Sequence, residues 1–197
     1  MQLNLNIKPH IGIGQILFGM SPEQVAKIAP VDHLGAEKTD AGRLDAVEQM
    51  INTIGNMLSD EAKQNLRRNT KKNLRGVSER TGSIGDGGLI LDYEDNKLVL
   101  IQAFPKIGKV KYEETNLFSE NPGEILSFFE ENNKEHGRYF KNFSRFDNLA
   151  IELTGFSIVR DEKIFPHKGE ERIVAIRQKA YIPEEWELEN HVRHSFL

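Results

Sequence analysis

Apolar residues recur at helical spacing in one segment of the first half of the chain, between residues 43 and 58. They stand three or four positions apart, which places them on one face of a helix. The members of this face are Leu44, Val47, Met50 or Ile51, Ile54, and Met57 or Leu58. A second helix is predicted over 60–74, after the capping residue Ser59, and it has few apolar anchors among its charges. The pattern therefore predicts a helical hairpin with one exposed, basic face.

The second half of the chain contains several sequence patterns typical of β-strands. Residues 89–94 and 97–104 are β-rich runs around Asp95 and Asn96, a pair typical of a two-residue hairpin turn. Further strands are predicted over 109–115, 149–159 and 172–181, with an aromatic stretch at 139–146 and a short helix over 124–132. The glycine-rich residues 76–88 and the polar residues 160–171 indicate loops, the first of them mobile.

This order of elements predicts the fold class. A β-α unit is followed by the inserted helical pair and then by β-β-β-α-β-β, and the short connections favour antiparallel pairing. We therefore expect an α+β fold, with a twisted antiparallel sheet and helices packed on one face. The chain would form a single domain with a helical-hairpin insertion over about 40–76 and a flexible loop over about 76–88.

The stretch GIGQILFGMSPEQV, residues 12–25, joins a short strand to a helix. Its glycines have the spacing GxGxxxxG, which is neither the dinucleotide-binding nor the Walker pattern, and no Gly-Lys-Ser/Thr follows. Ser21 is suited to cap the helix, Pro22 to the first helical position and Gln24 to the reciprocal position of a capping box. The stretch thus predicts a strand-to-helix junction rather than a phosphate loop.

Composition narrows the classes of function. The 197 residues are 38% hydrophobic and 28% charged, and cysteine is absent, which excludes disulfides and thiolate sites. No signal peptide or membrane-spanning run is evident, so a cytoplasmic protein is expected. Charge is segregated: residues 59–80 carry seven basic and three acidic side chains, residues 113–135 seven acidic and one basic, and residues 184–189 four glutamates. Such segregated charge can guide the association of a charged partner, although two solvent-exposed faces without a partner would give the same pattern.

Candidate chemistry is sparse. None of the six histidines stands in a recognised metal-binding spacing, and the pair His191 and His194 lies close to the end of the chain, so no metal site and no cofactor are predicted. No catalytic constellation is apparent, which argues against an enzyme. The basic segment lacks interleaved aromatic residues, and the chain is acidic overall, so nucleic-acid binding is not favoured.

The opening stretch, the hairpin GLILDYEDNKLVLIQAF, the helix NPGEILSFFEEN and the late strands LAIELTGFSIV and ERIVAIRQKAYI together resemble a family of small bacterial proteins encoded beside polymorphic toxins. That family shares a GxGxIxxGM(S/T)xxEV opening, which Gly12, Gly14, Gly19, Met20 and Val25 match. The resemblance covers roughly 10–30 and 88–182, and residues 31–87 have no counterpart in the family's shorter version. It implies an architecture similar to the β-lactamase inhibitors and the function of an immunity protein.

On this hypothesis the chain binds a cognate toxin domain, such as a nuclease, and occludes its active site without chemistry of its own. The alternative is a general interaction or scaffold module with no toxin partner. Two surfaces are candidates for partner binding, and the sequence does not choose between them. The acidic surface comprises Glu113, Glu114, Glu120, Glu124, Glu130 and Glu131, with Phe118 as an aromatic anchor. The basic surface comprises Arg67, Arg68, Lys71, Lys72 and Arg75.

Overall fold

The structure, a computed structural model, describes residues 3–169, 171–182, 191–194 and 196; the acidic segment 184–189 and the side chain of His194 lie outside this description. Within those residues the chain forms four α-helices and sixteen short strands, in the predicted α+β class. The helices are α1 Pro22–Ala26, α2 Asp40–Ile54, α3 Asp60–Lys72 and α4 Pro122–Asn133. The strands are β1 Asn6–Lys8, β2 Gly12–Ile13, β3 Ile16–Leu17, β4 His33–Leu34, β5 Glu79–Ile84, β6 Leu89–Glu94, β7 Lys97–Ala103, β8 Lys111–Tyr112, β9 Thr115–Asn116, β10 Gly137–Phe140, β11 Phe143–Phe146, β12 Ile151–Thr154, β13 Ser157–Arg160, β14 Lys163–Pro166, β15 Ile173–Arg177 and β16 Val192–His194.

A large antiparallel sheet organises the fold. Among the described residues it has nine strands, in the order β16-β10-β11-β12-β15-β7-β6-β5-β4. Its β6–β7 hairpin turns at Asp95 and Asn96, both with positive φ, as the sequence predicts. A smaller sheet, β3-β2-β1-β8-β9, contains a parallel pair between β1 and β8 that the sequence pattern does not indicate, and β13 pairs with β14.

The core lies on one face of the large sheet, beneath α4 and the smaller sheet. Phe129 of α4 stacks on Phe146 of β11 at a centroid distance of 5.1 Å and on Tyr112 of β8 at 5.5 Å. Ile101 and Leu153 project from the same face of the large sheet and are fully buried. Because side chains alternate along a strand, the neighbours of these residues point to the opposite, open face of the sheet.

The opening stretch forms the strand-to-helix junction that its sequence predicts. Gln24 donates its backbone N–H to the Ser21 hydroxyl at 3.3 Å, and Ser21 donates its N–H to the Gln24 side chain at 2.8 Å, which completes the capping box. Gly14 has φ +57°, and a Cβ atom there would lie 1.8 Å from the carbonyl oxygen of Asn4. The glycine therefore permits a close backbone approach within the small sheet.

Several predicted loops and strands were wrong in detail. Residues 76–88 are not a mobile loop throughout, because β5 pairs with β6 over its whole length, and only residues 76–78 and the turn at residues 85–88 lie outside a strand. Gly82 takes part in this pairing opposite Leu91, so a glycine-rich segment serves as a strand through its backbone bonds. The stretch 139–146 forms parts of two strands, the stretch 149–159 is divided at Gly155 with φ +77°, and the predicted loop 160–171 contains β14. A tight turn inside a β-rich run was missed in the stretches 139–146 and 149–159, whereas a strand was missed in each of the two predicted loops.

Candidate functional site

The helical hairpin of α2 and α3 is attached to the large sheet at its base. Thr39 and Ser59 cap the two helices through bonds to the N–H groups of Gly42 and Ala62. The Asp40 carboxylate accepts from the backbone N–H of Gly76 at 2.8 Å, and an ion pair joins Arg43 to Glu79 of β5. Beyond this base the two helices pack chiefly on each other.

An apolar surface of α2 and the turn after it is left uncovered. Met50, Ile54 and Met57 are 39%, 40% and 88% exposed, whereas Ile51 is the one buried side chain of α2. Met50 and Ile54, four positions apart, share one face of α2, and Met57 follows in the 3-10 turn after it; these three exposed side chains are here called the apolar stripe. The apolar face predicted for α2 is therefore wider than the part of it that is covered: Ile51 packs inward, while Met50 faces solvent.

The basic surface lies mainly on α3 and is only partly free. Arg67 donates two bonds to the Glu48 carboxylate, from Nε at 2.7 Å and from Nη2 at 2.8 Å, and this contact lowers the pKa of Glu48. Arg75 pairs with Glu79 and Glu94, each at 3.0 Å. Arg67 and Arg75 are thus exposed but already paired with carboxylates, and their role as partner contacts stays a prediction. Three cations of α3 are exposed and have no ion pair with any described residue, and they are called the basic ridge: Arg68, Lys71 and Lys72.

The apolar stripe and the basic ridge lie on opposite flanks of the hairpin. At 100° per residue, Glu48 is displaced about 60° to one side of Ile51 and Met50 about 100° to the other. Since Ile51 is buried and Glu48 reaches Arg67, the ridge follows the Glu48 side. The hairpin thus presents two different surfaces to solvent.

One member of the predicted acidic surface belongs to the interior. Glu130 is 1% exposed, and its carboxylate accepts from the Tyr139 hydroxyl at 2.6 Å and from the backbone N–H of Phe196 at 2.7 Å. Burial, followed by this bond to Glu130, raises the pKa of Tyr139 far above its usual value. Glu130 stands on the inner face of α4, four residues after Leu126, and this spacing is the signal that distinguishes it from Glu131. Its assignment as a partner contact was wrong.

The other acidic residues are exposed but do not converge on one place. Glu113 and Glu114 occupy the β8–β9 turn, and Glu120 precedes Asn121, the capping residue of α4. Only Glu124 and Glu131 share a helix face, two turns apart. The five form a dispersed acidic surface.

The predicted aromatic anchor is also part of the packing. The ring of Phe118 is half-buried against the core, 6.4 Å from the ring of Phe156, with the Arg172 guanidinium 5.8 Å away. The Phe118 carbonyl accepts a hydrogen bond from Arg172 as well. The proposed role of Phe118 as a projecting anchor is therefore corrected.

A polar surface on the open face of the large sheet was missed by sequence reasoning. Arg145 of β11 pairs with Glu152 of β12 at 2.5 Å, and its guanidinium lies 4.2 Å from the Tyr181 ring centroid. Arg177 of β15 also lies over Tyr181, at 5.4 Å. The sequence predicts the three strands of this surface one by one, over 97–104, 149–159 and 172–181, but it does not show that they lie side by side, with Arg177 and Ala175 of β15 on the open face.

Comparison with known family models, curated proteins and solved structures yields no match for the chain. In the part of the chain that the structure describes, no helix has the length and apolar character needed to cross a membrane. The same residues contain no group of three or more histidine, aspartate or glutamate side chains arranged to hold a metal ion.

Proposed function

We propose that the chain is an immunity-type binding protein that neutralises a cognate toxin by covering its active site, with the helical hairpin as its binding arm. The observation that carries the proposal is the uncovered apolar stripe on a hairpin that also bears unpaired cations. The resemblance of the opening stretch to toxin-associated proteins supports the immunity role. The partner is then a protein domain with an apolar contact region and an acidic border.

The stripe is suited to supply the free energy of binding. Complete burial of one methionine or isoleucine side chain is worth about 1.5–3 kcal/mol relative to exposure. A few such residues at the centre of an interface dominate the affinity of many complexes. Met57, the most exposed of the three, is the expected centre of the contact.

The cations of the basic ridge have a different part in this proposal. Exposed charges at the border of an interface mainly raise the association rate and select the partner. Because no described carboxylate pairs with Arg68, Lys71 or Lys72, these residues can face an acidic partner without first breaking an internal ion pair. A toxin with a basic cleft, such as a nuclease, would instead contact the dispersed acidic surface, which makes that surface the second candidate.

The test begins with a pull-down from the native host and identification of a stoichiometric partner. The partner is then expressed from an inducible promoter in a sensitive strain, and growth is measured with and without the protein. We expect the partner to be toxic and the wild-type protein to restore growth. A partner that is harmless on its own would refute the immunity role and support the scaffold alternative.

Variants then locate the contact. Met57→Asp is expected to weaken binding at least tenfold in titration calorimetry, whereas Asn56→Asp, the same charge one residue away and outside the stripe, should bind as wild type. Reversal of the basic ridge with Arg68→Glu and Lys71→Glu should slow association, and Glu113→Lys with Glu114→Lys tests the acidic surface. If all hairpin variants protect cells and only the acidic series fails, the hairpin is not the binding arm.

A further inference from the structure

The open face of the large sheet contains a polar cleft that has no part in the proposed function. Two adjoining cavities of about 380 and 240 Å³ share four lining residues, Arg75, Glu94, Val99 and Arg177. The cleft lies over β5, β6, β7 and β15, on the face opposite the core, and Tyr181 and Ile182 line the larger cavity. It is called the arginine cleft below.

The acidic groups of the arginine cleft already have internal partners. Glu79 and Glu94 each pair with Arg75 at 3.0 Å, and Glu79 also pairs with Arg43. Asp92 accepts a hydrogen bond from the Thr81 hydroxyl at 2.8 Å. The cleft therefore holds carboxylates that are engaged around Arg75 and Thr81.

Arg177, which lines both cavities, has no such partner. It makes no ion pair with any residue that the structure describes, and its Nε atom is shielded from solvent without a hydrogen bond to those residues. Arg80 pairs with the buried Tyr93 across β5 and β6, so its side chain projects to the other face of the sheet. A shielded N–H group without an acceptor is costly, and the cost disappears when an acceptor is supplied. The Arg177 guanidinium is also held in place over the ring of Tyr181.

A guanidinium group that is fixed and lacks a carboxylate is a preformed receptor for oxyanions. Its planar fork of N–H donors matches two oxygen atoms of a carboxylate or a phosphate. The volumes of the two cavities, at the lower end of the range for ligand pockets, suit a small molecule. We propose that the arginine cleft binds a small organic oxyanion, a carboxylate or a phosphate, with Arg177 as its principal ligand.

The experiment uses the full chain and two probes, inorganic phosphate and succinate, titrated at constant ionic strength with sodium chloride as compensation. Binding is followed by the unfolding temperature and by the arginine Nε–Hε signals in two-dimensional NMR spectra, with the Arg177 signal assigned from its loss in Arg177→Lys. We expect a saturable rise in unfolding temperature and a saturable shift of the Arg177 signal. A response to phosphate alone identifies a phosphate site, a response to succinate alone a carboxylate site, and a response to both a general oxyanion site.

The variants separate a built site from general charge effects. Arg177→Gln should weaken binding of the effective probe about tenfold or more, and Arg177→Lys should weaken it less because one donor is kept but the bidentate contact is lost. Arg68→Gln removes an exposed cation from the basic ridge and should leave binding unchanged. The proposal is overturned if neither probe shifts the Arg177 signal saturably, or if Arg177→Gln and Arg68→Gln bind the probe as tightly as wild type.

Discussion

Two buried tyrosines of this fold are predicted to differ in how the loss of the hydroxyl group changes the free energy of unfolding. Tyr139 donates to the buried Glu130 carboxylate at 2.6 Å, whereas the Tyr93 hydroxyl is buried without a hydrogen-bond partner among the described residues. Both rings are fully packed in the core. Replacement of each by phenylalanine removes one oxygen atom and keeps the apolar contacts, so the pair isolates the contribution of the hydrogen bond.

The magnitude follows from the bond that is removed. The Tyr139 hydroxyl donates to the Oε1 atom of Glu130 at 2.6 Å, whereas the backbone N–H of Gly137 reaches the same atom only at 3.4 Å. A hydrogen bond to a charged group contributes about 1.5–3 kcal/mol, so Tyr139→Phe should lower the free energy of unfolding by about 2 kcal/mol. For a chain of this length this corresponds to a fall of about 4–8 °C in the unfolding temperature.

Tyr93→Phe should leave the free energy of unfolding unchanged or raise it by up to about 1 kcal/mol, because a buried hydroxyl without an acceptor is removed. Urea denaturation followed by circular dichroism measures both variants, and equal m-values confirm that the comparison concerns stability alone. Glu130→Gln and its exposed neighbour Glu131→Gln provide a second pair, of which only the first should destabilise. Equal shifts for the two tyrosine variants would refute the assignment of Glu130 to the interior.

Three further outcomes are expected. Gly14→Ala should destabilise the protein far more than Gly19→Ala in urea denaturation. The new methyl group at position 14 would lie 1.8 Å from the carbonyl oxygen of Asn4, whereas no atom lies within 4 Å of a methyl group at position 19. Similar losses of stability in the two variants would contradict the close approach. Burial raises the pKa of Tyr93 to about 12. Above pH 10 the unfolded chain therefore loses this proton while the folded chain keeps it. The contribution of Tyr93 to the free energy of unfolding should be constant below pH 10 and fall by up to about 1.4 kcal/mol per pH unit from 10 to 12. Urea midpoints across that range, compared with those of Tyr93→Phe, check the slope, which should be smaller in the variant. Backbone amides of α3, a helix without a buried side chain, should exchange with deuterium faster than those of β7, and equal protection would show that the hairpin is as stable as the sheet.

The elements that could be predicted are those with a local chemical signature. The capping box of Ser21 and Gln24 and the turn at Asp95 and Asn96 each depend on a few adjacent residues, and both are confirmed. Strand β15 likewise lies within the segment 172–181 that is predicted as a strand. Such signals are reliable because they depend on neighbouring residues and not on tertiary contacts with distant segments.

The missed features depend on contacts between distant segments. The pairing of β1 with β8 joins residues about a hundred positions apart, and β5 forms because β6 offers it a full set of backbone bonds. The burial of Glu130 requires Tyr139 and Phe196 to meet at the inner face of α4. In the same way, the apolar pattern of α2 cannot show that α3 covers Ile51 and leaves Met57 in solvent.

The two ends of the large sheet limit how another protein can attach to it. In the described chain these ends are β4 and β16, of two and three residues, so each offers only a short row of main-chain donors and acceptors. Strand addition of the kind used by many peptide-binding domains needs a longer free edge than this. A protein that binds the large sheet is therefore expected to contact its side chains rather than add a strand, and the short edges also disfavour edge-to-edge aggregation.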